Sequence, residues 1–356
     1  MLNEYLVSLG FTRGITDACI YVKDTESSRI YLLVYVDDVL IASSNLADIL
    51  STKQDLLNEF TMTDLGPLNH FLGFRIKWEI GRIILNQTKY VENVLEKFGM
   101  TNERPLKTPL HDKRRLSKEM SPVTDEEKAA VANLPYRQVV GSIMYAMTGT
   151  RPDLAYAVGV LSRYNASYGL EHWEAALKTL RYMKYTMETS LVFEHESKWE
   201  LTAYVDADYA TDPDTRRSTS GHIICLGTSP VSWRSKRQQT VATSTAESEY
   251  IAATEAIKEL LWIRKLLLDF KIEVPEPMTV HEDNMACIHM SKDEGTKSRT
   301  KHVEVRYHFT RQMVREGKVK LVHCKTQHQK ADMLTKELPG PRLAEARRKG
   351  EFIKNS

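Results

Sequence analysis

The spacing of apolar residues changes character at Glu200, and that change restricts the fold more than any other feature of the chain. Beyond it, LTAYVD, GHIICLG and PVSWRS read as three short strands, and Thr245 to Phe270 then carries apolar residues at helical spacing. A strand MTVHED, a short helix, a helix from Val305 to Arg315, a strand KVKLVHC and a last helix from Ala331 follow. Three consecutive antiparallel strands, a long helix and further strand and helix alternation predict an α/β (α+β) domain with a mixed sheet over residues 200–340.

The segments before Glu200 have a different pattern. Ile30 to Ser43, IYLLVYVDDVLIAS, is a hairpin pattern with two aspartates at its tip, and a helix is expected from Ala47 to Phe60. Phe71 to Leu85 reads as two strands turned at Gly81, and Gln87 to Phe98 as a helix. Thr101 to Val131 is polar and proline-containing, which predicts a surface linker. Helices resume at Tyr136 and run with breaks to about Met187. Their apolar positions Leu154, Val158 and Leu161, then Ala176, Leu180 and Met183, describe packing faces. The expected division is 1–100, 101–199 for linker and helices, 200–340 for the mixed-sheet domain, and 341–356 as a basic tail.

A length of 356 residues with 42% hydrophobic content allows two or three cored domains. No apolar run reaches membrane-spanning length and no signal-peptide pattern opens the chain, so a soluble intracellular protein without a membrane partner is expected, in cytoplasm or nucleus. Cys19, Cys225, Cys287 and Cys324 are scattered, as in a reducing compartment. The net charge of +2 gives no general affinity for polyanions, although basic residues cluster at Arg104 to Lys118, Arg234 to Arg237 and Lys292 to Arg311.

Carboxylates carry the chemical signal. Asp37 and Asp38 sit at the hairpin tip, where unpaired acids near apolar strands are costly unless a cation is present; an ordinary polar turn is the alternative. Asp206 ends the strand LTAYVD on the face of Thr202 and Tyr204. In the long helix, Glu249 shares a face with Ala252, Ala253, Ala256 and Leu260, whereas Glu247 lies with Thr254 and Lys258. Glu249 is therefore the candidate ligand. Asp283 ends a strand immediately before a helix, and Asp332 opens the final helix, where the helix dipole alone would favour an acid. His323, Cys324 and His328 lack a second ligand pair at zinc spacing, and Asp206 to Asp214 lacks the third oxygen ligand and glycine of a calcium loop.

Two sets of motifs identify a family. YVDD between LLV and VLIA, preceded by GFTRGITDACIY and followed by DLGPLNHFLGFRI and ILNQTKYVENVLEKFGM, resembles the palm and thumb of copia-type reverse transcriptases. PYRQVVGSIMYAMTGTRPDLAYAV and HWEAALKTLRYMKYT continue the match. YVDADYATDPDTRRSTSG, VSWRSKRQQTVATSTAESEYIA, EDNMACIHM, RTKHVEVRYHF and ADMLTK then resemble that family's ribonuclease H blocks. The chain is thus similar to the C-terminal part of a copia-type LTR retrotransposon Pol polyprotein: a truncated reverse-transcriptase palm and thumb, a helical connection, and a ribonuclease H-like domain.

The resemblance implies that Asp206, Glu249, Asp283 and Asp332 are the catalytic and metal-binding acids of a ribonuclease H. They would hold two Mg2+ ions, with Mn2+ as substitute, to hydrolyse the RNA strand of an RNA–DNA hybrid to 5′-phosphate and 3′-hydroxyl ends. It also implies that Asp37 and Asp38 are a polymerase remnant. The third palm aspartate has no counterpart before the hairpin, so polymerisation by this chain alone is not expected. Ser218, Thr219 and Ser220 are candidates for sugar contacts, and Arg234, Lys236, Arg237, Lys301 and His302 for phosphate contacts. The expected partners are an RNA–DNA hybrid and other Pol segments; the sequence does not give the oligomeric state. Gln312, the KYTMETSL segment and the basic tail after Pro339 depart from the family pattern. A non-catalytic nucleic-acid-binding relic, or a polymerase completed by a missing Pol segment, are the alternatives at this point.

Overall fold

The structure, a computed structural model, describes residues 1–110, 115–195, 199–292, 301–349 and 353–355. They form two compact units: Met1–Asn69 with Lys258–Pro275, and His70–Ile257 with Glu276–Ser356.

The first unit opens with α1 (Leu2–Ser8), followed by β1 (Thr12–Arg13), β2 (Ile20–Asp24), β3 (Arg29–Tyr35), β4 (Asp38–Ser43) and α2 (Leu46–Glu59). The strands pair antiparallel in the order β1-β2-β3-β4. Leu6, Phe11, Tyr21, Ile30, Leu32 and Leu56 form their core. Asn45 caps α2, its side-chain oxygen accepting from Ala47 N at 3.0 Å. The segment Lys258–Pro275 is tied to this unit by Asp269, whose Oδ2 accepts from Thr16 N at 2.6 Å and Asp17 N at 3.2 Å.

The hairpin is where the sequence placed it. Tyr35 pairs with Asp38 across a two-residue turn in which Val36 takes φ 52°. Asp37 and Asp38 are both exposed, however. They stand in water, so the desolvation cost that would have called for a cation at this tip does not arise.

The second unit contains two sheets. The first is built from β5 (His70–Phe71), β6 (Phe74–Glu79) and β7 (Arg82–Asn86), then α3 (Thr88–Lys97), α4 (Asp125–Val131), α5 (Tyr136–Gly149), α6 (Ala155–Leu161) and α7 (Leu170–Tyr185), and returns as β8 (Thr189–Glu194). β8 has no counterpart in the expected elements. It pairs antiparallel with β7, Leu191 opposite Leu85, and so joins strands expected in the 1–100 segment to the helices that follow. The boundary therefore falls at residue 69 instead of 100, because the 74–86 hairpin completes its hydrogen bonds with β8. All six of the expected helix-packing residues, Leu154, Val158, Leu161, Ala176, Leu180 and Met183, are buried in one core.

The expected surface linker is anchored to the same unit. Leu110, Met120 and Val131 are buried, and Ser117 O accepts a 3.1 Å hydrogen bond from His172 Nε2. Residues 111–114 lie outside the described residues.

The second sheet is β9 (Leu201–Asp208), β10 (Thr219–Leu226) and β11 (Ser229–Arg237), then α8 (Thr245–Asp269), β12 (Met278–Glu282), α9 (Met285–Lys292), α10 (Lys301–Arg315) and β13 (Val319–His323). Its strand order is β11-β10-β9-β12-β13, antiparallel through the first three and parallel through the last three. This is the mixed α/β sheet that the change of period at Glu200 predicts: hairpins supply the antiparallel pairs and helical crossovers the parallel ones. The chain ends with α11 (Gly340–Lys349) and a short β14 (Ile353–Asn355) beside β8. Asp332 does not open the last α-helix as expected. It lies in a separate 3-10 turn, Lys330–Leu334, because the chain breaks at Pro339 before α11 begins.

Candidate active site

β9, at the centre of the mixed sheet, carries Asp206 near its carboxyl end, and the side chain is 3% exposed. β12 lies parallel beside it, and Asp283 follows directly on that strand's last residue. Glu249 comes from the first turns of α8, on the buried face that helical geometry assigns it. Glu247, two residues earlier, instead accepts from Thr243 N at 2.7 Å and stays at the helix start. One carboxylate oxygen from each of Asp206, Glu249 and Asp283 lies within 4.8 Å of the other two.

The fourth acid is brought close by a steric accommodation. Gly221 pairs with Asp206 across the sheet, and the 3-10 turn lies against that glycine. A Cβ at Gly221 would stand 2.7 Å from both Leu334 Cβ and Thr335 Cγ2. The missing side chain lets the turn close over the strand, and Gln329 Nε2 fixes it by donating to Val205 O at 2.8 Å. Thr335 Oγ1 consequently donates to Asp206 Oδ2. Asp332 is buried nearby but is not one of the three converging acids: Lys336 Nζ lies 2.8 Å from its Oδ1 and Arg342 donates to its Oδ2.

Concentrating acids in a buried site makes them hold protons. Burial pushes Asp206 up to about 6, with Lys336 and Thr335 opposing the shift. Glu249 is raised by burial first and then by the charges of Glu282, Asp206 and Asp283. Its Oε2 is buried without a hydrogen-bond partner. Oxygen ligands short of positive charge suit a hard divalent cation, so Asp206, Glu249 and Asp283 fit a metal site.

Several participants are not among the residues singled out from sequence. Glu282, wholly buried, is raised by burial and by Asp283 and Asp206. The sequence reading chose Asp283 as the acid that ends the strand before a helix and gave no role to Glu282, one residue earlier. Lys336 stands four residues beyond Asp332 in the ADMLTK block, a spacing that could have found it. Arg342 had no local signal; it reaches Asp332 from α11, in the tail set aside as basic. Thr326 Oγ1 donates to Asp283 Oδ2 at 2.8 Å and orients that acid.

The candidate nucleic-acid contacts divide. Ser218 is fully buried, its Oγ accepting from Ala210 N at 3.1 Å, and Thr219 is 2% exposed; neither can meet a bound strand, because both support the β9–β10 connection. Ser220 is partly exposed and accepts from Gln238 Nε2 at 2.8 Å. Arg237 is held by the buried Asp212 at 3.0 Å, together with Arg163 at 2.7 Å. Arg234 and Lys236 are exposed, but the register places them opposite His222 and Ser220, whereas Asp206 aligns with Gly221 and Ser235. They occupy the other face of the sheet from Asp206. Lys301 and His302 begin α10, and their side chains lie outside the described residues. His323 and His328 are exposed and do not converge with the buried Cys324 on a metal-ligand group among the described residues. No helix among the described residues is long and apolar enough to cross a membrane.

Residues 1–112 match the family model described as reverse transcriptase (RNA-dependent DNA polymerase). The chain is 42% identical, over 95% of its length, to the retrovirus-related Pol polyprotein from transposon TNT 1-94 of Nicotiana tabacum, and spans 26% of that protein. It is 31% identical to the putative transposon Ty5-1 protein of Saccharomyces cerevisiae, over 73% of this chain and 83% of the relative. Among solved structures, the foamy viral protease-reverse transcriptase in complex with RNA/DNA hybrid is similar over 83% of this chain and 36% of its own, at 12% identity and a TM-score of 0.45. Matches to transposon Pol sequences thus run through the hairpin, the connecting helices and the acid-bearing mixed sheet alike, and the chain belongs to the copia-type retrotransposon Pol polyprotein family.

Proposed function

We propose that this chain hydrolyses the RNA strand of RNA–DNA hybrids, using Asp206, Glu249, Asp283 and Asp332 with divalent metal ions, Mg2+ in the first instance. The observation that carries the reading is the convergence of three carboxylates from separate elements, two of them deeply buried, with too little positive charge nearby. A stable fold gains nothing from such a cluster, since burial and like charge both oppose it.

Bound divalent cations would supply Lewis-acid polarisation of the phosphodiester and a water activated for in-line attack. The chain's own groups set the geometry for this. Asp206 is fixed by Thr335, Asp283 by Thr326, and Glu249 by the packing of α8. Discrimination for RNA would come from contacts to 2′-hydroxyls in the shallow minor groove; Ser220, paired with Lys236, lies on the other face of the sheet from Asp206 and is not one of them.

Hydrolysis is the activity proposed for this chain, because the converging acids lie in the mixed sheet and not at the hairpin. Asp37 and Asp38 are joined by no third metal-ligating side chain among the described residues.

The test is incubation of the purified chain with a labelled RNA–DNA hybrid and Mg2+ beside an Asp206→Asn variant. Loss of cleavage by about 100-fold or more is expected, the scale of removing one electrostatic group from a hydrolytic site. Equal cleavage by the two proteins, or none by the parent chain, would overturn the assignment.

A further inference from the structure

The acids of the site are not equally short of positive charge. Glu249, 4% exposed, keeps a buried oxygen without a partner, and its converging oxygen meets those of Asp206 and Asp283. Asp332 is as deeply buried and its Oδ1 likewise lacks a hydrogen-bond partner, yet a cation stands beside each of its oxygens. Lys336 Nζ lies 2.8 Å from Oδ1, and Arg342 donates to Oδ2. Lys336 also lies 3.6 Å from Asp206 Oδ2, so its ammonium stands between the two aspartates.

This arrangement is held from outside the site. Arg342 projects from α11, which is seated by the buried Leu343 and by Arg347, whose guanidinium stands 5.6 Å from the ring of Tyr182. The cations themselves are not sealed in. The side chains of Lys336 and Arg342 are 33% and 47% exposed, so both can turn toward solvent or toward an anion.

We propose that Lys336 and Arg342 are built-in counter-cations of Asp332. At rest the site takes one divalent ion, at Asp206, Glu249 and Asp283, and a second binds beside Asp332 only when these two side chains leave it. Nucleic-acid phosphates are the anions that would draw them off. The exchange keeps every charge paired: the phosphates receive an ammonium and a guanidinium, and Asp332 receives the second metal. Lys336 and Arg342 would thus be positioning residues that make full metal loading depend on substrate. The proposal rests on reading the cluster as a metal site.

The test is Mn2+ binding to the full-length, metal-free chain, followed by calorimetry and by electron paramagnetic resonance. The parent chain is expected to bind one ion, with a second at least about tenfold weaker, the scale set by cations beside the vacant ligand. The Arg342→Met and Lys336→Met variants, which keep the aliphatic stems, should tighten the second ion, and their combination should give two ions of similar affinity. Arg342→Lys should restore the parent behaviour, and a short DNA duplex should move the parent chain from one ion to two. Two equal ions in the parent chain, or a single ion in the double variant, would overturn the proposal while leaving the metal site intact. Absence of Mn2+ binding in every variant, or parent-like binding by Asp206→Asn, would instead remove the metal-site reading on which it stands.

Discussion

Two groups of buried charge in the same compact unit are built on opposite terms. At Arg151, Asp153 and Tyr182, every charge meets its complement. The Arg151 guanidinium grips Asp153 in a fork at 2.9 and 2.8 Å, Tyr182 donates to the same carboxylate at 2.6 Å, and Arg151 Nη1 donates to Thr186 O at 3.2 Å. Burial opposes ionisation of Asp153, but the charge and hydrogen bonds of Arg151 outweigh it and hold the carboxyl below its ordinary value. At Asp206, Glu249 and Asp283 the charges are alike, and burial with mutual repulsion pushes Asp206 and Glu249 the other way. The first group is charge-balanced within the fold, while the second is the arrangement that the proposed metal site would neutralise.

The largest expected effect breaks the balanced group. Asp153→Ala leaves Arg151 buried without its partner and should cost about 3–5 kcal/mol in urea unfolding. A cost below about 1 kcal/mol would mean that water or another acid compensates Arg151, and the contrast would fail.

The second effect is a pH dependence of the unbalanced group. Burial pushes the Asp206 carboxyl from its ordinary 3.8 up to about 6 in the folded chain. The folded-state value is raised, so this contribution to stability is fully present below about pH 4 and is lost as pH rises through about 6. In EDTA, the stability difference between the parent chain and Asp206→Asn should therefore shift by on the order of 3 kcal/mol between those limits, to the disadvantage of the parent at higher pH.

Metal should reverse that penalty. Mg2+ at about 100 times its dissociation constant should stabilise the parent chain by about 2.7 kcal/mol, seen as a rise in Tm. Glu249→Gln should raise the metal-free Tm by relieving repulsion and should abolish the response to Mg2+. A variant that keeps the full response would remove Glu249 from the metal-binding set.

The smallest effect is expected where acids are neither paired nor buried. Asp37→Asn, on the exposed hairpin tip, should change stability by no more than about 0.5 kcal/mol with or without Mg2+. A larger metal-dependent change would show that the palm hairpin binds a cation in this chain after all.

How much could be read in advance depends on how local each signal is. The 3.6-residue period distinguished Glu249 from Glu247, because the direction of a helical side chain follows from its position along one element. Strand alternation likewise assigned Asp206, and the hairpin Ile30 to Ser43 and its turn were fully legible. β8 was not, since TSLVFE is a strand only by virtue of pairing with β7. Ser218 and Thr219 looked like surface polar residues, but the β9–β10 connection enfolds them.

The sequence by itself determined the family and the mixed sheet and singled out the candidate acids, because these follow from residue type, period and order along the chain. Only the tertiary structure decided how those acids are shared out: three converge on one point, while Asp332 is held by Lys336 and Arg342. The physical reason is that a carboxylate's state depends on which charges surround it within a few ångströms. Those neighbours arrive from a strand, two helices and a 3-10 turn, whose meeting no local pattern encodes.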